Sequence, residues 1–485
     1  MIDPKAAHKA LLARDVRFDG VFFVGVTSTG IYCRPVCPVK SPRAGNCRFF
    51  ESAAAAEKAG FRPCLRCRPE LAPGNAPMDS SRRIAHQLVE QLEEGLSGDG
   101  VDLETIAARV GLSSRQVRRI TVKELGVTPI DLIQTRRLLL AKQLLTETRL
   151  PVIDVAFASG FASLRRFNDA FSRQYRMPPT RLRRAAGAAG GGTVETDATT
   201  ALKLSYRPPY DWTAMLEFFR ARQIEGVESV TPEAYSRSLR LGDKAGWLRV
   251  THLPDERSVR LEVPHVLTGT LQALLGLVRR AFDLSAQPDL IARHLRKDRR
   301  LRASLARSPG LRTPGAFDPF ELTWRAILGQ QITVKAATTL AGRFARAFGE
   351  PLRHPVGELT HLTPNAERIA VARVTDIVRL GITSPRATAI RSIARALHSG
   401  SLRLESGGDP EAVMAQLMTL PGIGPWTAQY IAMRALRWPD AFPSGDVAVL
   451  KSLGGLRSRE AEALSQAWSP WRSYAVMHLW RSGRP

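Results

Sequence analysis

Leu420-Pro421-Gly422-Ile423-Gly424-Pro425-Trp426-Thr427-Ala428 lies between two helical patterns, and Asp446 follows it in Pro443-Ser444-Gly445-Asp446-Val447. Two glycines flanking one apolar residue let the backbone turn tightly and aim successive N–H groups at an anion such as a nucleic-acid phosphate. The stretch is a helix-hairpin-helix candidate, although most turns of this composition only join two helices. Asp446, after a Pro-Ser-Gly turn, reads locally as a helix N-cap. A carboxylate fixed there can also serve chemistry, and the two roles are compatible.

Around this stretch the composition points to a polyanionic partner. The chain has 485 residues, ordinary hydrophobic (44%) and charged (24%) fractions, and a formal net charge of +25. Its length implies about three to four domains. The positive excess is dispersed through several segments, which argues for folded nucleic-acid-binding surfaces rather than a basic tail. No apolar run of membrane-spanning length and no lipidation motif occurs, so no membrane partner is expected. Met1-Ile2-Asp3-Pro4-Lys5 opens no signal peptide, and a cytoplasmic protein is expected.

All five cysteines fall at 33, 37, 47, 64 and 67. Cys33-Arg34-Pro35-Val36-Cys37 and Cys64-Leu65-Arg66-Cys67 are two short-spaced pairs, the arrangement that four zinc thiolates need. One Zn2+ on Cys33, Cys37, Cys64 and Cys67 is expected, and a segment this short needs the metal to fold. Cys47 has no such partner and reads as a free or buried thiol. By spacing alone the site is structural. His294, His361, His398 and His478 show no metal-ligand spacing, and Asp376 reads as structural.

Two helix-turn-helix patterns follow. Leu103 to Ile120 gives an apolar helix, a turn at Gly111, a serine cap and a basic helix, and Ile153 to Phe167 repeats the pattern around Gly160. Ser114, Arg115, Arg118 and Arg119 in the first unit, and Arg165, Arg166 and Asn168 in the second, are candidates for base or phosphate contacts. A solvated basic face is the alternative. Arg serves phosphate and guanine equally, so the bases read are not given.

The organisation expected is a zinc-binding α/β domain over 1–74, a tandem helix-turn-helix domain over 78–184 and a flexible Ala/Gly linker over 185–201. An α+β subdomain over 202–285 and an all-α core over 286–485 complete it. The fold class is thus multidomain and mainly α with α+β parts. A helix is also expected near 79–95, another over 212–223 and a strand over 247–251.

Trp324-Arg325-Ala326-Ile327-Leu328-Gly329-Gln330-Gln331-Ile332, the hairpin, Asp446, and Trp468-Ser469-Pro470-Trp471-Arg472-Ser473-Tyr474-Ala475 resemble, in order and spacing, the helix-hairpin-helix DNA glycosylases, most closely 3-methyladenine DNA glycosylase II. The resemblance covers about residues 202–484. Glycosidic cleavage develops positive charge on the sugar, which a fixed carboxylate stabilises while it orients water; Asp446 suits that role. An alkylated purine is already cationic and leaves readily. Aromatic faces, here Trp426, Tyr430 and Trp471, can hold such a flipped base, with ordinary helix packing as their alternative. Gln331 matches the position from which relatives fill the gap left by the flipped base; otherwise it is a polar residue at a helix end. Relatives that also cut the strand carry a Schiff-base lysine where Trp426 stands, so the resemblance implies a monofunctional enzyme that needs no cofactor in this half.

Thr29-Gly30-Ile31-Tyr32-Cys33-Arg34-Pro35-Val36-Cys37 and Gly60-Phe61-Arg62-Pro63-Cys64-Leu65-Arg66-Cys67-Arg68-Pro69 resemble the N-terminal domain of the Ada response protein. In that family the first cysteine of the cluster, here Cys33, is both ligand and acceptor of a methyl group from a DNA methylphosphotriester. Four thiolates on one zinc carry two net negative charges; methylating Cys33 removes one and favours DNA binding. The helix-turn-helix pair, with its ending Phe171-Ser172-Arg173-Gln174-Tyr175-Arg176-Met177-Pro178-Pro179-Thr180, is similar to AraC-type transcription regulators. These resemblances imply a bacterial, nucleoid-associated alkylation-repair protein that binds double-stranded DNA, both alkylated and at specific promoter sites, with RNA polymerase as partner if it activates transcription. The Ada arrangement ends in a second reactive cysteine, and no cysteine follows Cys67. The rival readings are an activator whose glycosylase half only binds DNA, and a glycosylase for oxidised or mismatched bases.

Overall fold

A computed structural model of the protein describes residues 3–73, 103–104, 107, 112–188, 199–404 and 409–482. They fall into two compact units. One holds the chain to Pro208 with Leu253–Arg279 and Leu284–Gln287; the other holds Pro209–His252, Arg280–Asp283 and Pro288 onward.

In the first unit, strand Phe23–Val26 pairs antiparallel with Ile31–Cys33 on one side and Cys47–Phe50 on the other, and Arg62–Pro63 adds in parallel. Gly25 is required in the central strand, because a Cβ there would lie 2.8 Å from the Phe50 ring and 2.9 Å from the Phe61 ring. Helix Pro4–Leu12, capped by Asp3, buries Ala7, Ala10 and Leu11 with Phe22 and Val24. The register Val24↔Cys33 sets the first cysteine at a strand end, where the chain is free to leave the sheet.

The second helix-turn-helix unit forms as its pattern implies. Helix Val152–Ala158, the turn at Gly160 (φ +82°) and helix Leu164–Tyr175, capped by Ser163, bury Phe167, Phe171 and Tyr175. Of the first unit, helix Ser114–Leu125 carries a Ser113/Gln116 capping box, which anchors its start. Gly111 and most of the helix before it lie outside the described residues, as does the helix expected near 79–95.

Helix Pro129–Glu147 joins these parts to the cysteine segment through charges that its sequence gives no sign of burying. Lys142, 1% exposed, donates to the Cys64 carbonyl (2.9 Å) and pairs with the equally buried Glu70 (2.6 Å). Arg68 reaches Glu70 (3.1 Å) and Glu147 (2.6 Å), and Glu147 also accepts from the Lys203 backbone N–H (3.1 Å). Removing one member of such a pair strands the other in low dielectric. Lys142→Met is expected to destabilise this unit by about 3–5 kcal/mol. Amide hydrogen exchange over 129–147 in the full chain would read the loss, and adding Glu70→Gln should recover part of it.

The segment expected as a linker is shorter than its composition implies. Helix Pro179–Ala188 takes in its first residues, strand Thr199–Ser205 takes its last, and 189–198 lie outside the described residues. That strand pairs with Ser258–Pro264 in the first unit (Leu202↔Leu261), so residues 202–285 are divided between the two units.

In the second unit helix Trp212–Arg220 and strand Lys244–Leu253 appear near where they are expected, and strands Glu228–Val230 and Ala234–Leu241, not singled out in the sequence, complete the antiparallel run. From Pro288 the regular elements among the described residues are helices except for a hairpin, Pro351–Val356 with Leu359–His361, turning at Gly357 (φ +56°). Leu352, Leu359 and Leu362 pack with Ala245 and Trp247, a contact at long sequence separation that favours strand over helix.

Helix Arg472–Ser482 is fixed by His478, whose Nδ1 lies 3.0 Å from Ser304 Oγ on helix Arg299–Arg307. Burial, with Arg481 nearby, pushes the His478 imidazole down to about 4. The unfolded chain takes up this proton near pH 6.5 and the folded one resists until about 4. Stability is therefore complete above pH 6.5 and falls as pH drops toward 4, by on the order of 3 kcal/mol. All eight tryptophans lie at Trp212 or later, in this unit. Tryptophan fluorescence during urea unfolding should show the acid loss, and His478→Gln should flatten it.

Candidate functional site

The hairpin consists of helix Pro410–Met418, the turn, and helix Pro425–Arg434. Gly422 has φ +77°, and a Cβ there would lie 2.9 Å from Ala389 Cβ, so no other residue fits without strain. Gly424 caps the second helix and has open space where a Cβ would stand. Its neighbour Ile423 is buried and pins the turn. The exposed face can thus offer backbone N–H groups to a phosphate.

Asp446 caps helix Val447–Ser452, accepting at Oδ1 from the N–H groups of Ala448 (3.1 Å) and Val449 (3.0 Å). The Trp480 indole N–H donates to the same oxygen (2.9 Å), and the Trp426 indole N–H donates to Oδ2 (3.0 Å). Four donors from three helices therefore lock one half-buried carboxylate. The capping role foreseen for Asp446 is present, and the cap orients the carboxylate.

An aromatic wall adjoins it. Trp426 stacks on Tyr430 (5.4 Å, 19°), Tyr430 meets Trp480 (6.3 Å), and Trp480 stacks on Phe218 (6.3 Å, 23°). Arg434 lies over Phe218 (4.7 Å), donates to the Tyr430 hydroxyl (2.8 Å) and is tied to the carbonyls of Pro314 and Gly315. Burial alone would raise the Tyr430 phenol, but the Arg434 and Arg222 guanidiniums bring it below its ordinary value. Trp471, expected with Trp426 and Tyr430, is elsewhere. It is buried, its ring neighbour is Tyr474 (5.8 Å), and the Tyr474 hydroxyl donates to Asp283 (2.8 Å). A buried ring committed to that packing is not a free stacking face.

Gln331 sits exposed between helices Pro319–Leu328 and Val334–Phe348 with φ +54°, a left-handed conformation that costs a non-glycine residue energy and marks a special position. Gln330, which the sequence does not single out, explains the geometry. Its amide donates to the Gly422 carbonyl (2.9 Å) and to Thr427 Oγ1 (2.9 Å), and its carbonyl accepts from Arg386. These bonds tie the hairpin to the Gln331 turn.

In the other unit Cys33, Cys37, Cys64 and Cys67 are all buried, and their sulfur atoms lie within 4.8 Å of one another. Tetrahedral zinc, with Zn–S near 2.3 Å, places sulfurs about 3.8 Å apart, so the donor set fits the metal. The N–H groups of Arg34 (3.3 Å, to Cys67) and Arg66 (3.4 Å, to Cys64) point at sulfur. Hydrogen bonds among the four groups, that with Cys37 foremost, and burial hold the Cys33 thiol above its ordinary value, while those with Cys33 and Cys37 draw Cys64 below. Four thiols sharing protons in this way need a divalent cation to become four thiolates. Cys47 stands apart, its thiol donating to the Arg43 carbonyl (3.4 Å).

Among the helix-turn-helix candidates Arg115, Arg118, Arg119, Arg165 and Arg166 are exposed, while Ser114 and Asn168 are half-buried near their helix starts. None of the helices among the described residues is long and apolar enough to cross a membrane.

Known proteins match this arrangement segment by segment. Residues 6–70 match the metal binding domain of Ada, 106–185 a helix-turn-helix domain, 201–318 the AlkA N-terminal domain, and 324–472 the HhH-GPD superfamily of base excision DNA repair proteins. Over 99% of this chain and 96% of the relative, it is 38% identical to the probable bifunctional transcriptional activator/DNA repair enzyme AlkA of Mycobacterium tuberculosis. It is 36% identical to DNA-3-methyladenine glycosylase 2 of Escherichia coli over 57% of this chain and 95% of that protein. The 3-methyladenine DNA glycosylase structure from Archaeoglobus fulgidus superposes with a TM-score of 0.52 at 20% identity, covering 58% of this chain and 98% of that one, and shares the fold. The class so defined is a helix-hairpin-helix base-excision protein fused to an Ada-type metal-binding segment and a helix-turn-helix regulator. The chain belongs to the family of bifunctional transcriptional activator/DNA repair enzymes of the AlkA type.

Proposed function

We propose that the chain carries out two alkylation-repair reactions. The first is hydrolysis of the N-glycosidic bond of alkylated purines, of the 3-methyladenine and 7-methylguanine type, in DNA. The observation that carries it is the Asp446 carboxylate held by the indoles of Trp426 and Trp480 beside the aromatic wall. A flipped cationic base stacks on ring faces there, and the fixed carboxylate stabilises the positive charge that builds on the sugar and orients the attacking water. Gln331 fills the vacated stack, and the hairpin N–H groups hold the backbone phosphate. Because Trp426 stands where a lyase needs an amine, the product is an intact strand with an abasic site. Duplex methylated at purines, incubated with the protein and resolved on a denaturing gel with and without alkali, tests this; strand breaks without alkali contradict it.

Trp480→Phe keeps the ring and deletes the donor to Asp446. A hydrogen bond to a charged group is worth about 1.5–3 kcal/mol, so single-turnover base release is expected to fall about ten- to a hundredfold.

The second reaction is irreversible transfer of a methyl group from a DNA methylphosphotriester to Cys33. A zinc ion held by Cys33, Cys37, Cys64 and Cys67 supplies thiolate character at neutral pH. Arg34 holds the loop: it pairs with Asp19 and donates to the Cys67 carbonyl (3.1 Å). Loss of one negative charge from the cluster strengthens DNA binding, with Arg115, Arg118, Arg119, Arg165 and Arg166 on bases and phosphates of promoter DNA. If the bound chain activates transcription, RNA polymerase is its partner, and the chain acts on chromosomal DNA in the cytoplasm.

A further inference from the structure

Beside the cysteine cluster is a cavity of about 430 Å³. Cys33, Cys37 and Cys64 form one wall, and the rest of the lining is largely hydrocarbon, including Leu11, Val24, Val26, Ile31 and Val39. Lys40, Arg62 and Arg66 also border it. A methyl group needs about the space of one water, roughly 30 Å³, and the cavity is of a size that elsewhere holds whole small ligands. A phosphate-binding surface has no need of such a lining. Apolar wall and cationic border together match an alkyl chain on a phosphate.

We propose that Cys33 accepts unbranched alkyl groups longer than methyl, ethyl to n-butyl, from DNA phosphotriesters, with the cavity housing the chain. This rests on the reading of Cys33 as a phosphotriester acceptor. The Cys33 sulfur attacks the first carbon of the ester alkyl group, forming an S–C bond as the C–O bond breaks. The electron pair leaves with oxygen, so a neutral triester becomes an anionic diester and the sulfur anion becomes a neutral thioether. No oxidant, reductant or proton is required. Lys40, Arg62 and Arg66 favour the departing anion, and the bound thioether keeps its chain among Val26, Ile31 and Val39.

The test uses the full-length, zinc-loaded protein with duplex oligonucleotides carrying one methyl, ethyl or n-propyl phosphotriester. Mass spectrometry of the Cys33 peptide gives the transfer rate. Each rate is divided by that of a small thiol on the same duplex, which removes the intrinsic slowing of substitution at longer chains. The normalised rate is expected to hold or rise along the series, by up to about fourfold per methylene, the equivalent of burying one CH2. A normalised rate that falls at ethyl, as in a pocket closed to an extra methylene, overturns the proposal. Val26→Phe, which fills the cavity from a strand position that tolerates aromatics, should lower the propyl-to-methyl ratio. A second readout needs no transfer: methyl resonances of Val26, Ile31 and Val39 should shift at lower concentration for tributyl than for trimethyl phosphate, and the reverse order contradicts the cavity's role. Absent transfer from the methyl ester with tributyl phosphate still bound would sink the acceptor reading and leave the alkyl-binding cavity standing.

Discussion

Asp446→Asn is expected to lower release of methylated purines by about two to three orders of magnitude, the size seen when one fixed electrostatic group is removed from a transition state. The substitution preserves shape. The remaining carbonyl can still accept from Ala448 and Val449 N–H, so the cap of helix Val447–Ser452 is retained. What changes is the side facing the sugar. The charge is gone, and with the carbonyl kept on the cap the new amide nitrogen takes the Oδ2 position, where it presents N–H toward the Trp426 indole, itself a donor. Charge loss and donor conflict act in the same direction on the rate, whereas DNA binding through the hairpin and the arginine surfaces should persist. Single-turnover base release alongside a binding isotherm separates the two. A variant that binds DNA and releases base at the parental rate would remove Asp446 from the chemistry.

Cys33→Ala is expected to abolish alkyl acceptance completely, because no other described sulfur combines a place in the cluster with the same strand-end position. Base release should be retained, since Asp446 and its partners belong to a different compact unit. Three thiolates remain to hold zinc, so the variant is expected to bind the metal more weakly, a loss readable by competition with a chromogenic chelator. Retained methyl incorporation after Cys33→Ala would assign the acceptor to another cysteine. Parallel loss of base release would show that the two reactions are not separable.

How much of this can be read from the sequence depends on how local the cause is. Pro421-Gly422-Ile423-Gly424 is legible because a positive φ and a close approach to Ala389 act on the glycine itself. The two CxxC-like pairs are legible because zinc dictates short spacing. Asp446 is legible as a cap and, through the family pattern, as a carboxylate in register with the hairpin. Trp480 is not. It is 34 residues from Asp446 on a helix whose other aromatics pack, and only the folded chain brings its indole to the carboxylate. Trp471 misleads for the converse reason: its place in a Trp-Ser-Pro-Trp motif suggests a pocket, while its ring is spent on Tyr474. Lys142 sits in Leu138-Leu139-Leu140-Ala141-Lys142-Gln143 and looks solvated, because its partners Glu70 and the Cys64 carbonyl are more than 70 residues away. Pairing of Thr199–Ser205 with Ser258–Pro264 is equally long-range, so the division of residues 202–285 between units has no local sign.

One chain thus removes two kinds of alkyl damage by separate chemistry. The most direct measurement incubates the zinc-loaded, full-length protein with duplex DNA treated with a methylating agent, and analyses both products of the same reaction by mass spectrometry. Free 3-methyladenine is expected to be released in many turnovers, and the Cys33 peptide to carry one methyl group per chain and no more. Released base with an unmodified Cys33 would contradict the acceptor half, and methylated Cys33 with no released base would contradict the role given to Asp446.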